Sequence, residues 1–127
     1  MSISYEYNSN HGYIHTKVTN TVTVKEVLSY IDSVLEDNRI NKPFYELVDF
    51  SETDNFDFGY YQSEQISNKL AQLTKHKKLQ GTCFVATKDI AKGMSNIFRV
   101  KNENKGIDMQ IFNNINDALV YIKNTRE

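Results

Sequence analysis

Four stretches of the chain repeat apolar residues at intervals of three and four, which is the spacing of amphipathic helices. They fall within residues 24–35, 66–73, 90–98 and 115–122. Shorter alternating or continuously apolar segments, typical of strands, lie at residues 3–8, 13–18, 44–50, 82–86 and 107–112. The pattern predicts the order ββαβαβαβα, an α/β fold in which four helices cover one sheet of about five strands.

The predicted strands should form a single mixed sheet. Turn-forming residues at 8–12 join the first two strands, which indicates an antiparallel hairpin. Strands that are separated by one helix must run parallel, so the later strands should extend the hairpin in parallel. The 127 residues include one Pro and 5 Gly, and no linker-like stretch divides them. We therefore expect one domain over residues 1–127.

Capping signals mark where several helices begin. Thr23 is followed three residues later by Glu26, which is a capping box. Asn114 with Asp117 opens the last helix in a similar way. Thr87 is placed to cap the third helix. The second helix should run from about residue 60 to about residue 75, after a loop that begins near Ser51.

Charge and cysteine content narrow the functional classes. The first 68 residues carry 11 acidic and 4 basic side chains and the rest carry 5 and 11, which nearly cancel to a net charge of −1. With a sequence pI of about 6.3, we do not expect nucleic acid as a partner. The single cysteine, Cys83, lies in an apolar run and suits a reducing compartment. The sequence has no signal-peptide pattern and no membrane-length apolar run, so we expect a cytoplasmic location without membrane insertion.

No grouping of side chains predicts catalysis, a metal or a cofactor. His11 and His15 would stand about 13 Å apart along a strand, too far to share a metal. Glu46 and Asp49 are an odd number of positions apart in a strand, so they should point to opposite faces. Cys83 should be buried and unreactive. We expect a protein that is not an enzyme.

Six segments of this layout, at residues 22–27, 46–51, 84–87, 93–98, 111–112 and 116–122, form a recognisable pattern. In these segments the chain resembles the SpoIIAA-like, or STAS, family of small bacterial domains, which is related in fold to the anti-sigma-factor antagonists. What the family implies is a non-catalytic regulatory or protein-binding module.

The resemblance also implies a phosphorylation switch. In the sigma-antagonist members, a serine beside an aspartate at the start of the helix after the third strand is phosphorylated, which switches binding to a kinase-like partner. The matching residues here are Asp49 and Ser51, with Thr87 and Lys88 on the neighbouring loop. The family's Ser-Gly-Leu-Gly continuation is replaced by Ser-Glu-Thr-Asp-Asn at residues 51–55.

An aromatic segment offers a second candidate site. Phe56, Phe58, Tyr60 and Tyr61 lie outside the periodic core positions, which favours an interface with a protein partner or a second copy of the chain. The alternative is that these rings close the end of the sheet. A different functional hypothesis is a carrier or sensor of a small apolar or lipid-like ligand, held in a pocket at the carboxyl-terminal edge of the sheet.

Overall fold

The helices and strands follow the predicted order. The structure, a computed structural model, describes residues 2–126, apart from the side chains of residues 104 and 126. The strands are β1 (Ile3–Asn8), β2 (Tyr13–Thr23), β3 (Phe44–Asp57), β4 (Leu79–Val85) and β5 (Asp108–Phe112). The helices are α1 (Val24–Leu35), α2 (Tyr60–Lys77), α3 (Asp89–Asn102) and α4 (Ile115–Arg126), with a 3₁₀ turn at Glu103–Lys105.

The five strands form one mixed sheet, as the sequence predicts. Their spatial order is β1-β2-β3-β4-β5. β1 and β2 are antiparallel, with Ile3 opposite Val18 and Asn8 opposite Tyr13, and the later pairs are parallel. The hairpin turn closes with a 2.9 Å hydrogen bond from the Gly12 N–H to the Asn8 carbonyl. Gly12 has a φ of +68°, a conformation that glycine adopts without steric cost.

The helices divide between the two faces of the sheet. Because each βαβ crossover is right-handed and steps in the same direction, α1, α2 and α3 cover one face. Their side chains, such as Ile31, Leu73 and Phe98, pack there with Val48 and Phe84 of the strands. On the other face, α4 contributes Ala118 and Ile122 to a second cluster, which also holds Leu47, Cys83 and Val85. β3 and β4 are thus covered on both sides, as the apolar run at 82–86 predicts.

Two strands are much longer than predicted, and β4 also begins earlier, at Leu79. β2 continues to Thr23 and β3 continues to Asp57, whereas residues 51–59 were expected to form a loop. Asp49 is the last residue of β3 that pairs with β4, and beyond it β3 pairs only with β2, from Thr19 opposite Glu52 to Thr23 opposite Asp57. We call this overhanging pair, residues 19–23 and 52–57, the ribbon. It forms because each strand satisfies the backbone hydrogen bonds of the other where β4 has ended.

The capping predictions have mixed outcomes. At α1, the Glu26 N–H donates to Thr23 Oγ1 at 3.2 Å and the Thr23 N–H donates to Glu26 Oε1 at 3.1 Å, which confirms the capping box. At α4, the Asp117 N–H donates to Asn114 Oδ1 at 2.8 Å, as expected. The prediction for Thr87 is wrong, because α3 begins at Asp89 with Lys88 as its N-cap. Asp89 in the first turn places a negative charge at the positive end of the helix dipole instead.

Within residues 2–126, no helix is both long enough and apolar enough to cross a lipid bilayer.

Candidate functional site

One end of the domain gathers the candidate residues. The carboxyl ends of parallel strands meet at the same edge of a sheet, where open α/β folds place their ligands. Here α1 follows β2 directly, α2 begins at Tyr60 soon after β3, and α3 begins at Asp89 soon after β4. The ribbon and the first turns of these three helices therefore share this end.

Asp49 and Ser51 lie next to each other within β3. The Asp49 carboxylate is buried and accepts a 2.9 Å hydrogen bond from the Ser51 N–H. Lys17 stands opposite Asp49 on β2, and its Nζ lies 2.7 Å from Glu52 Oε2. The expected position of Ser51 at a strand end beside a helix is wrong, since β3 runs on to Asp57 before α2 begins at Tyr60.

Lys88 reaches the ribbon at a different point. Its Nζ donates to the Thr53 carbonyl at 3.3 Å and to Asp54 Oδ1 at 3.2 Å. Thr87 is exposed beside it. Among the described residues, no hydrogen bond or ion pair joins Lys88 to Asp49 or Ser51, so the four residues form two separate pairs rather than one cluster.

The aromatic segment splits into a buried half and an exposed half. Phe56 is buried with its ring 5.1 Å from that of Phe50 and 6.0 Å from that of Phe58. Phe58 is half-buried, and its ring lies 6.5 Å from that of Phe98 on α3. Phe56 is therefore a core residue that a partner could not reach. The packing of these two rings agrees with the alternative prediction, in which they close the end of the sheet.

Tyr60 and Tyr61 point outward from the first turn of α2. Their exposed fractions are 62% and 88%. Every other tyrosine and phenylalanine among the described residues is buried or half-buried. Lys101 Nζ lies 3.4 Å from the centroid of the Tyr60 ring and donates a 2.5 Å hydrogen bond to Glu64 Oε1. A cation over an aromatic face is attracted by the negative charge of the ring's π-electrons. This contact holds Tyr60 in place on the surface.

A buried polar cluster that the sequence did not predict lies deeper in the fold. Glu46, on β3, is 3% exposed. Tyr30 Oη donates a 2.5 Å hydrogen bond to Glu46 Oε2, and Thr82 Oγ1 donates to Oε1 at 2.8 Å. A further 2.6 Å hydrogen bond joins Thr16 Oγ1 to Tyr30 Oη. We call these four residues the Glu46 cluster.

The surroundings of Glu46 disfavour its charge. Burial raises the pKa of the Glu46 carboxyl, against the hydrogen bonds from Tyr30 and Thr82, which act to lower it. Burial also raises the pKa of Tyr30 well above its ordinary value, and the carboxyl of Glu46 adds to that shift. The only signal in the sequence was a glutamate in the middle of the mainly apolar strand at 44–50.

A small cavity lies beside the Glu46 cluster, between the sheet and helices α1 to α3. Its volume is about 60 Å³, and its walls are almost entirely apolar. They include Val18, Val48, Phe50, Ile66, Phe84 and Phe98. An apolar cavity of about 150 Å³ holds one benzene molecule. The space is too small for a lipid-like molecule, and the carrier hypothesis is therefore not favoured.

The described residues contain no group of three or more His, Cys, Asp or Glu side chains that could hold a metal ion. Cys83 is buried, and burial is the largest cause that raises the pKa of its thiol to about 12. A thiol in that environment is not an activated nucleophile.

The architecture defines an α/β domain with a SpoIIAA-like fold, as the resemblance in the sequence predicts. An uncharacterized protein of the DUF3478 family from Shewanella loihica, which has a SpoIIAA-like fold, superposes with a TM-score of 0.60 at 18% identity, over 94% of this chain and 91% of its own. The anti-sigma factor antagonist SpoIIAA in its unphosphorylated form gives a TM-score of 0.57 at 9% identity, over 98% and 97% of the two chains. No protein-family model matches the sequence, and no curated protein matches it. At these identities the likeness establishes the fold.

Proposed function

We propose that this domain is a non-enzymatic regulatory module that binds a protein partner through the exposed first turn of α2. The observation that carries the proposal is the exposure of Tyr60 and Tyr61, at 62% and 88%, on a regular helix. Tyrosine is enriched among the residues that dominate binding energy in protein interfaces. Two adjacent rings on a fixed turn provide apolar contact area that loses little side-chain entropy on binding.

The neighbourhood of the two tyrosines suits an interface. Just before them in the chain, the ring of Phe58 packs against the ring of Phe98 on α3 and ties this part of the chain to the core. Around them, Lys101 and Glu64 supply an ion pair at 2.5 Å. An apolar or aromatic centre with a polar rim is the usual anatomy of a protein interface.

The fold is consistent with a protein partner. SpoIIAA, which shares it, is named as an antagonist of an anti-sigma factor, that is, as a protein that acts on another protein. We extend only this class of partner to the present chain, with a second copy of the chain as the other partner to be tested. The reduced thiol of Cys83, buried and without a disulfide, suits a cytoplasmic location.

Ser51 is our proposed point of control. A phosphate on its hydroxyl would carry nearly two negative charges into a region that already holds Asp49 and Glu52. Lys17, which stands opposite Asp49 and pairs with Glu52, is the cation that the phosphate would compete for. Intact-mass measurement of the protein purified from its native cells, with Ser51→Ala as the control, would detect the modification. A wild-type mass that always equals the unmodified chain would refute this role.

The partner proposal is tested by comparing exposed positions. Tyr61→Ser should abolish capture of a specific protein from a lysate of the organism that encodes the chain. Val120→Ser serves as the matched control, because Val120 is 56% exposed on α4 at a distance from α2 in the fold. Sedimentation velocity of the same variants tests association with a second copy. If Tyr61→Ser and Val120→Ser retain the same proteins and the same sedimentation as the wild type, the proposed interface is wrong.

A further inference from the structure

The Glu46 cluster is unusual because its carboxyl group has hydroxyl partners but no cation among the described residues. α1 faces it with Tyr30, β2 with Thr16 and β4 with Thr82. Tyr5 of β1 packs edge-on against the ring of Tyr30. The Tyr5 hydroxyl donates a 2.8 Å hydrogen bond to Asp37, which forms an ion pair with Arg39. The remaining elements around the adjacent cavity contribute apolar side chains, namely Ile66 and Leu70 from α2 and Phe98 from α3, and β5 places Met109 beside Thr82.

The hydroxyl groups can satisfy Glu46 in either protonation state. When the carboxyl is ionised, Tyr30 and Thr82 each donate to one of its oxygens and Thr16 donates to Tyr30. When it is protonated, Oε2 can donate to Tyr30 Oη, and the Tyr30 proton can turn toward Thr16 Oγ1. Only hydroxyl hydrogens change direction between the two arrangements. The hydrogen-bond geometry therefore permits a proton to be gained or lost without a rearrangement of the backbone.

Solvation decides which arrangement is the more stable. An ionised carboxylate without a cationic partner in apolar surroundings is strongly disfavoured relative to the neutral acid. The cavity beside it, at about 60 Å³, exceeds the roughly 10–15 Å³ that a single water molecule needs. While Glu46 is neutral, the apolar walls offer a water molecule too few hydrogen-bond partners to hold it in the cavity. A charged Glu46 carboxylate would attract a water molecule there.

We propose that Glu46 keeps its proton in the folded domain at mildly acidic pH, and that loss of this proton as the pH rises draws water into the adjacent cavity and loosens the core. The Glu46 cluster is then a proton-sensitive switch between α1 and the sheet. The unfolded chain releases the same proton near the ordinary glutamate pKa of about 4.3. The contribution of Glu46 to stability is thus fully present below that pH and is lost as the pH rises toward the folded-state pKa. Within this window the folding equilibrium constant falls by up to about tenfold per pH unit.

Glu46→Gln tests the switch, because it keeps the side-chain size and hydrogen-bonding groups but cannot ionise. Urea unfolding of the full chain would be measured at successive pH values from about 4.3 upward. We expect the wild-type equilibrium constant to fall relative to that of Glu46→Gln by up to about tenfold per pH unit, and then to level off. Glu6→Gln, at an exposed position on β1, should retain the wild-type pH dependence. Parallel pH profiles for the wild type and Glu46→Gln would overturn the proposal.

A second measurement uses only the wild-type protein, so it does not require any variant to fold. The side-chain carboxyl carbons of glutamate are labelled with ¹³C in the wild-type protein, and their chemical shifts are followed by NMR as the pH changes. The Glu46 signal should titrate above the value of about 4.3 that exposed glutamates show. If it titrates at that value or below, Glu46 is charged in the folded domain at mildly acidic pH and the proposal fails.

Discussion

A β-carbon added to Gly81 would stand 2.6 Å from the carbonyl oxygen of Asp108, a separation that real side chains essentially never show. Gly81 pairs with Asp108 where β4 meets β5, and the same added carbon would lie 2.9 Å from the ring of Tyr45. The absence of a side chain at this position lets β5 approach β4 closely. Gly81 is thus required by packing rather than by its backbone angles.

We expect Gly81→Ala to push β5 away from β4 and to lower the free energy of unfolding by about 1–3 kcal/mol, as overpacking typically does. Urea denaturation followed by circular dichroism measures the change. Gly93→Ala is the matched control, since an added carbon there meets nothing within 4 Å in the middle of α3. Alanine in a helix interior should raise stability by about 0.5–1 kcal/mol. Equal effects of the two substitutions would contradict this account.

A pair of threonine substitutions tests where the helices begin. Thr23→Ala removes the side chain that accepts from the Glu26 N–H, and should lower the free energy of unfolding by about 1 kcal/mol. Thr87→Ala should change it by less than about 0.5 kcal/mol, because Thr87 is exposed and lies before the N-cap Lys88. Thermal unfolding of the two variants measures the contrast. A loss at Thr87 as large as that at Thr23 would place the cap of α3 at Thr87 after all.

The buried thiol of Cys83 predicts a loss of stability in alkali. Its pKa is raised to about 12, mainly by burial and further by Asp108 and Glu46, whereas an unfolded cysteine ionises at about 8.5. Above pH about 8.5, only the unfolded chain releases this proton, so the unfolded state gains stability as the pH rises toward 12. Cys83→Ala should be less stable overall, because it leaves a cavity, but its stability should fall less steeply above pH about 8.5. Urea midpoints for both proteins across this range decide the matter, and identical slopes would show that the thiol is accessible in the folded state.

Much of the fold could be predicted because it depends on local patterns. The capping box at Thr23 and the hairpin at 8–12 are determined by neighbouring residues, and both are confirmed. The expectation that Glu46 and Asp49 face opposite sides is also confirmed, since Glu46 is bonded to Tyr30 of α1 and Asp49 pairs with Val85 of the cluster on the α4 side. Strand parity alone settled that question.

The ribbon was missed because its second strand is rich in acidic and polar residues, which usually mark loops. Its first strand, residues 19–23, is a run of threonine and valine around Asn20, and this β-branched content was an available signal. The pairing itself joins Thr19 to Glu52 and Thr23 to Asp57 across a long sequence separation. Periodicity within one segment does not reveal such a partner.

The candidate sites could be predicted only in part. Tyr60 and Tyr61 were selected by sequence for an interface, and this assignment stays a prediction. The Glu46 cluster escaped notice because its members lie 16 and 36 residues away from Glu46 at Tyr30 and Thr82, on separate elements. Only the folded arrangement brings their hydroxyl groups to one carboxyl.

The unbroken order β1-β2-β3-β4-β5 has a consequence for synthesis on the ribosome. Each new strand docks beside the strand made just before it, so no strand must wait for a partner that is translated later. The hairpin of β1 and β2 is available first, and each helix with its following strand can add to the growing edge in turn. The inner strands β2, β3 and β4 are therefore each left with an unpaired edge only until the next strand is made, which limits the chance that a nascent chain pairs with a neighbour instead.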